Sequence, residues 1–256
     1  MKFRPCIDIH NGSVKQIVGS SLKDEGDVAK NNFVSSRDAV FYARMYREQG
    51  FSGGHIILLN HVDSPFFEGT KRQAIEALNG APGTLQIGGG ITADNAGEYL
   101  EAGATHVIVT SYVFKNGKIN YSNLDKLVRA VGKEKIVLDL SCKAADDGYY
   151  IVTDRWQKMT TVKLSEEVLD DLSGYCDEFL VHAADVEGKQ NGIEENVAKI
   201  LGDWGKIPIT YAGGVKDISD IEKLRKIGKG KVDVTVGSAL DIFGGPLKLE
   251  EVKNAI

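Results

Sequence analysis

The sequence predicts an α/β protein, a single (β/α)8 TIM barrel with an internal twofold half-barrel repeat, spanning residues 1–256 as one domain with half-barrels at approximately 1–128 and 129–256. Three observations carry this expectation. Eight short apolar, β-branched runs alternate with helix-like stretches, the length matches the roughly 250 residues typical of such barrels, and the strand ends of the first half reappear in the second.

The strands are expected at 3–9, 55–59, 84–87, 106–110, 136–140, 178–181, 207–211 and 232–236. Most are continuously apolar rather than alternating, which parallel strands covered on both faces require. The stretches between them are long enough for crossover helices. In 36–50, 94–104, 123–132 and 217–228 apolar residues recur at three- and four-residue steps, and glycine closes most of these segments. The final "LKLEEVKNAI" reads as an amphipathic helix closing the barrel. An open doubly wound sheet is the alternative, and eightfold alternation favours closure. The repeat is seen in "CIDIH" against "VLDLS", in Gly89 and Gly90 against Gly213 and Gly214, and in "IVTS" against "TVGS", all at offsets near half the chain.

Composition narrows the function classes. With 42% apolar and 26% charged residues the chain has the makeup of a water-soluble enzyme, and no apolar run approaches a membrane span. A net charge of −5, with scattered basic residues, argues against a nucleic-acid partner. The opening "MKFRPCIDIH" lacks a signal-peptide core, so a cytoplasmic location is expected. Cys6, Cys142 and Cys176 lack metal-ligand spacing and read as buried thiols in a reducing compartment. His55, His61 and His106 likewise lack such spacing and read as local structural residues, so no metal is expected.

The chemistry is expected at the C-terminal strand ends. Three glycines follow Ile87, and glycine costs roughly 0.5–1 kcal/mol within a regular element, so a close approach to the backbone is implied. Freed N–H groups near a helix start make an anion cradle. Gly89 and Gly90 with Thr110 and Ser111 form one candidate phosphate site, and Gly213 and Gly214 with Gly237 and Ser238 the other. In a ring of eight strands these lie opposite each other, so the ligand is a small molecule with a phosphate at each end. Asp8 and Asp139 also oppose each other and flank its middle, a layout suited to acid/base catalysis, each group worth about 10²–10⁴ in rate. The acid of such a pair must be lifted from about 4 to about 7, roughly 4 kcal/mol, by burial and neighbouring anions.

In "CIDIHNGSVKQIVG", "LQIGGGI", "VIVTS", "VLDLSC", "FLVHAADVEG", "YAGGV" and "VDVTVGSALDIFGG", in this order and spacing, the chain resembles the ProFAR isomerases of histidine biosynthesis, in their eukaryotic-type branch, over nearly its whole length. That resemblance implies an intramolecular aldose–ketose (Amadori) isomerisation of bisphosphorylated ProFAR to PRFAR by a monomer, without metal or organic cofactor. It implies Asp8 as the base that removes the C2 proton of the opened Schiff base and Asp139 as the acid for ring opening. After strand six the commoner bacterial pattern is similar to "TDISRDG"; here His182 stands in place of the threonine and Val186 in place of the arginine. His182 and Asp185 are therefore candidates for orienting the substrate's hydroxyls.

Two long connections are expected to exclude water: 10–35, read as a mobile lid or else a surface loop or short strand pair, and 141–160, which carries Trp156. An exposed tryptophan on a polar loop favours stacking on substrate, as the family's loop after strand five does. The rival readings are the cyclase barrel of imidazole glycerol phosphate synthase, which would need a glutaminase partner, and a non-catalytic phosphosugar-binding barrel. The long tryptophan-bearing loop speaks against the first and the two aspartates against the second.

Overall fold

Eight parallel strands curl into one sheet in the computed structural model, which describes residues 1–23 and 25–256. They are β1 (Cys6–His10), β2 (Gly54–Leu58), β3 (Leu85–Gly88), β4 (Val107–Val109), β5 (Ile136–Asp139), β6 (Glu178–His182), β7 (Ile209–Ala212) and β8 (Val232–Thr235), each paired with its neighbours in chain order. The ring closes at the β8–β1 seam: Phe3 bridges Val234, Arg4 N–H donates to the Val234 carbonyl at 2.8 Å, and Val234 N–H donates to Lys2 at 2.9 Å. The expected first strand at 3–9 is thus split around Pro5, which has no N–H to give the ladder. Eight helices form the outer layer among the described residues: α1 (Ala39–Glu48), α2 (Phe67–Gly80), α3 (Ala96–Glu101), α4 (Tyr121–Val131), α5 (Glu166–Leu172), α6 (Glu195–Trp204), α7 (Ile218–Ile227) and α8 (Leu249–Asn254).

Side chains alternate across each strand, so one residue in two enters the barrel. On β6 the inward set is Glu178, Leu180 and His182, which samples the barrel from floor to mouth. The floor is polar: Glu178 accepts from Thr210 Oγ1 at 2.6 Å and from Gln86 Nε2 at 2.9 Å, and Arg4 bridges Glu178 at 3.6 Å and Asp233 at 2.8 Å. Above it, Ile57, Ile108, Val137 and Leu180 form an apolar layer. This layer leaves only the strand ends free to hold ligand. Outward residues such as Ile7, Ile56, Ile87, Leu138 and Phe179 are fully buried beneath the helices, which explains the continuously apolar strands. Cys6, Cys142 and Cys176 are buried free thiols.

Several helices start at the caps the sequence offers. Asp38, Asn120, Ser165 and Asp217 accept from backbone N–H groups in the first turns of α1, α4, α5 and α7. Asp38 Oδ1 takes the Phe41 N–H at 2.9 Å, so Asp38→Ala is expected to cost about 1 kcal/mol. The check is a lower urea midpoint with an unchanged slope.

Three additions decorate the mouth. An antiparallel arm, Ser13–Ile17 with Asn31–Val34, continues from β1. The segment expected as a lid therefore contains the strand pair offered as its alternative, and residue 24 within it lies outside the described residues. A small hairpin, Phe114–Lys115 with Lys118–Ile119, follows β4. A three-stranded antiparallel sheet, Cys142–Ala145, Gly148–Thr153 and Lys158–Lys163, follows β5. The stretch at 141–160 is thus largely ordered sheet, with Trp156 at its tip.

Candidate active site

Two adjoining cavities occupy the C-terminal mouth. The larger, about 990 Å³ and open to solvent, is lined by Gly89, Gly90, Thr110, Ser111, Asp139 and Trp156, among others. The second, about 400 Å³, is lined by Gly213, Gly214, Gly237 and Ser238 together with Cys6 and His55. Asp8, His182 and Glu187 border both, so the two are the ends of one cleft with ionisable groups at its waist.

The glycine turns have matching backbones. Gly89 and Gly90 have φ of +103° and +72°, and Gly213 and Gly214 have +116° and +79°, a region that glycine enters without steric cost. A Cβ on Gly89 would run into the Leu58 carbonyl, and one on Gly214 into the Gly192 carbonyl. The helices begin later than the expected cradle required: α3 starts at Ala96 and α7 at Ile218. Asn95 separates the first turn from its helix by accepting from Thr92 N–H at 2.8 Å and donating to the Gly90 carbonyl at 3.0 Å. At this end the glycine turn, and not the start of α3, therefore lines the cavity. After β8, Gly237 and Ser238 lead into a short 3-10 helix, Asp241–Phe243, an arrangement frequent at phosphate sites of such barrels.

The hydroxyls have partners within the protein. Thr110 Oγ1 donates to Asp139 Oδ2 at 3.1 Å, Ser111 Oγ accepts from Asp154 N–H at 3.0 Å, and Ser238 Oγ accepts from Gln190 Nε2 at 3.2 Å. Thr110 thus serves the carboxylate at the waist, whereas Ser111 and Ser238 remain on the cavity walls.

The two aspartates have opposite electrostatics. Burial pushes the Asp8 carboxyl up to about 7, helped by the nearby Glu187 carboxylate, with His182 and the Gln16 amide pulling the other way. Gln16 reaches Asp8 Oδ2 at 3.4 Å from the arm after β1. At Asp139 burial also pushes upward, but His182 and Ser141 outweigh it and the carboxyl titrates below its ordinary range. Ser141 supplies two donors to Asp139 Oδ1, its N–H at 2.8 Å and its hydroxyl at 2.5 Å. The upward shift required of the acid is therefore found at Asp8 and not at Asp139, because Asp139 is ringed by donors and Asp8 faces another carboxylate. His182 itself is lowered by burial and raised more by Asp139, Glu187 and Asp8.

Trp156 is half-buried rather than exposed. Its ring lies 5.5 Å from that of His182, centroid to centroid, at 52°. Gly19 on the arm leaves the space the indole fills, since a Cβ there would overlap it. The β1 arm and the β5 sheet thus meet over the waist. Asp154, Arg155 and Trp156 all have positive φ, a strain of order 1 kcal/mol each for side-chain-bearing residues.

Asp185 is the one candidate outside the cleft: it is exposed, and its Oδ2 accepts from Ala144 N–H at 2.8 Å, tying the loop after β6 to the β5 sheet. His61 and His106 sit with Asp63 and Asp177, each at 3.3 Å, as local residues do. His55 does not: it lines the second cavity, 5.8 Å from the His182 ring, and burial holds it down to about 3. Sequence reasoning missed Glu187, Ser141 and Gln16. An acidic residue before a glycine in the loop that follows a strand, Glu187-Gly188, and a hydroxyl two residues past a strand-end aspartate are the signals that point to the first two.

A family profile described as "Histidine biosynthesis protein" matches residues 2–245. The chain is 53% identical over 256 residues to a chloroplastic 1-(5-phosphoribosyl)-5-((5-phosphoribosylamino)methylideneamino)imidazole-4-carboxamide isomerase of Medicago truncatula, covering 98% of this chain and 80% of that protein. It is 47% identical over 247 residues to the isomerase of the same name from Neurospora crassa, covering 95% and 93%. With that of Saccharomyces cerevisiae it shares 44% over 255 residues, covering 96% and 94%. Among the described residues no helix is long and apolar enough to cross a membrane. The chain therefore belongs to the histidine biosynthesis protein family, to the eukaryotic-type branch of its ProFAR isomerases.

Proposed function

We propose that this protein converts ProFAR to PRFAR, an intramolecular aldose–ketose (Amadori) isomerisation driven by Asp8 and Asp139 without metal or organic cofactor. The observation that carries the reading is the single cleft with a glycine turn at each end and carboxylates at its waist. One phosphate of the substrate rests on Gly89, Gly90 and Ser111, the other on Gly213, Gly214, Gly237 and Ser238. The aminoaldose end then lies between Asp139, which protonates the ring oxygen, and Asp8, which takes the C2 proton. A base titrating at about 7 is poised to accept and return that proton near neutral pH. Trp156 and the β1 arm cover the waist and keep water from the imine. We further propose that residues 1–256 act as one unit of two half-barrels, as a cytoplasmic monomer that binds this small molecule and neither nucleic acid nor membrane.

The deciding experiment is incubation of the purified protein with ProFAR while PRFAR is followed chromatographically. Turnover is expected, undiminished by EDTA. Binding without turnover would instead support a non-catalytic barrel, and ammonia-dependent cyclisation of PRFAR the synthase reading.

Glu187 tunes the base. Its charge is one of the two influences lifting Asp8, so Glu187→Gln lowers the Asp8 titration. The reaction needs Asp8 ionised, hence activity rises with pH through about 7 in the parent. In Glu187→Gln the acidic limb of kcat/KM is expected to move to lower pH by about one unit, measured as a pH–rate profile.

A further inference from the structure

The acid of this reaction presents a difficulty that the waist of the cleft resolves. Asp139 accepts from Ser141 N–H, from Ser141 Oγ and from Thr110 Oγ1. Three donors on one carboxyl hold it as a carboxylate, and a carboxylate has no proton to give the ring oxygen. The proton must reach Asp139 from a neighbour. Ser141 Oγ, fully buried, lies 2.5 Å from Asp139 Oδ1 and 3.3 Å from His182 Nδ1, while Nδ1 and Oδ1 are 3.8 Å apart. The hydroxyl therefore stands between the imidazole and the carboxylate as a bridge.

We propose that His182 is the proton reservoir for ring opening: its Nδ1–H passes a proton to Ser141 Oγ as the serine hydroxyl passes its own to Asp139, which delivers it to the substrate's ring oxygen. This relay rests on the isomerase reading and deepens it. His182 is 8% exposed, wedged between the rings of His55 and Trp156, so it has one orientation and little access to bulk water. The groups facing it are Asp139 from β5, Asp8 from β1, Glu187 from the loop after β6, and His55 from β2. The three carboxylates outweigh the burial that disfavours its charge. His55, held down to about 3, is neutral and does not compete as the carrier.

The protons balance. As the bond between C1 and the ring oxygen breaks, its electron pair stays on that oxygen, which takes the proton from Asp139, and the exocyclic nitrogen's lone pair forms the C1–N double bond. Asp139 hands on the proton it takes from Ser141 and so ends as the carboxylate it began as, while the His182 Nδ1 proton replaces the one the serine gave, leaving a neutral imidazole. Asp8 moves the C2 proton to C1. The proton released when the 2-hydroxyl becomes a carbonyl returns through Asp139 and Ser141 to His182, restoring the starting state.

The test compares parent, His182→Ala and Ser141→Ala in steady-state kinetics across pH, with and without added imidazole. For His182→Ala the expected result is a kcat about 10²-fold lower, KM within about threefold of the parent, and loss of the basic limb of the kcat profile. Added imidazole should restore turnover in proportion to imidazolium rather than imidazole, which a merely structural histidine would not give. Should His182→Ala fail to fold, Ser141→Ala, which keeps both end groups, is expected to lower kcat about tenfold at unchanged KM, and an undiminished kcat overturns the relay. In the folded His182→Ala protein, a kcat within threefold of the parent, or rescue that follows neutral imidazole, overturns it as well. A parent protein without turnover overturns the isomerase reading and the relay together, whereas an active parent with undiminished variants overturns the relay alone.

Discussion

Asp8→Asn is expected to lower kcat by about 10⁴-fold, with substrate affinity changed by less than about tenfold, ~1.4 kcal/mol. Asparagine keeps the size of the side chain and a partner for Gln16, so the cleft keeps its shape, but it cannot take a proton from carbon. The same substitution should raise stability above neutral pH. The sign follows from burial: Asp8 titrates at about 7 when folded and near 4 when unfolded, so the unfolded chain sheds this proton first and folding loses free energy as pH rises between those values. The uncharged amide carries no such penalty. An inactive variant that melts later than the parent at pH 8 separates loss of chemistry from loss of fold, and an active Asp8→Asn protein removes Asp8 from the mechanism.

The second large effect is expected at the glycine turn after β3. Gly89→Ala places a methyl against the Leu58 carbonyl at a φ of +103°, so neither rotamer choice nor side-chain movement relieves it, and β2 or β3 must shift. A cost of about 3 kcal/mol is expected, which for a chain of this size lowers Tm by roughly 6–12 °C. The shift also displaces the glycine turn that lines the first cavity, and KM should rise more than kcat falls. Gly90→Ala is the internal comparison: its φ is +72°, and a Cβ there would meet the Val62 side chain at 3.1 Å, a contact that can give way. About 1 kcal/mol is expected there. Equal losses at both positions would show that left-handed backbone alone matters, and not the close approach to Leu58.

The barrel could be read from the sequence because its determinants are local. Each strand is a short apolar run, helices such as α1 and α7 open on a capping aspartate, and the glycine turns stand at strand ends where a two-layer ring puts its loops. The same locality made Asp8 and Asp139 visible. The β5 sheet was less so: the Asp147-Gly148 turn between extended stretches is a hairpin signal, but Arg155, Trp156 and Gln157 interrupt the pattern. What could not be read is what depends on distant neighbours. The opposite titrations of Asp8 and Asp139 arise from Glu187 on one side and Ser141 with His182 on the other, and no spacing reveals that these side chains converge. Thr110, expected on a phosphate, lines the first cavity and donates its hydroxyl to Asp139 on the neighbouring strand, a partner no spacing discloses.

A crystal structure of the Asp8→Asn protein soaked with ProFAR tests the central claim most directly. The account predicts one phosphate against Gly89, Gly90 and Ser111, the other against Gly213, Gly214 and Ser238, and the reacting ribosyl carbons between the substituted amide on β1 and Asp139. A ligand anchored by one phosphate only, or one whose ribosyl carbons point away from both side chains, would contradict it.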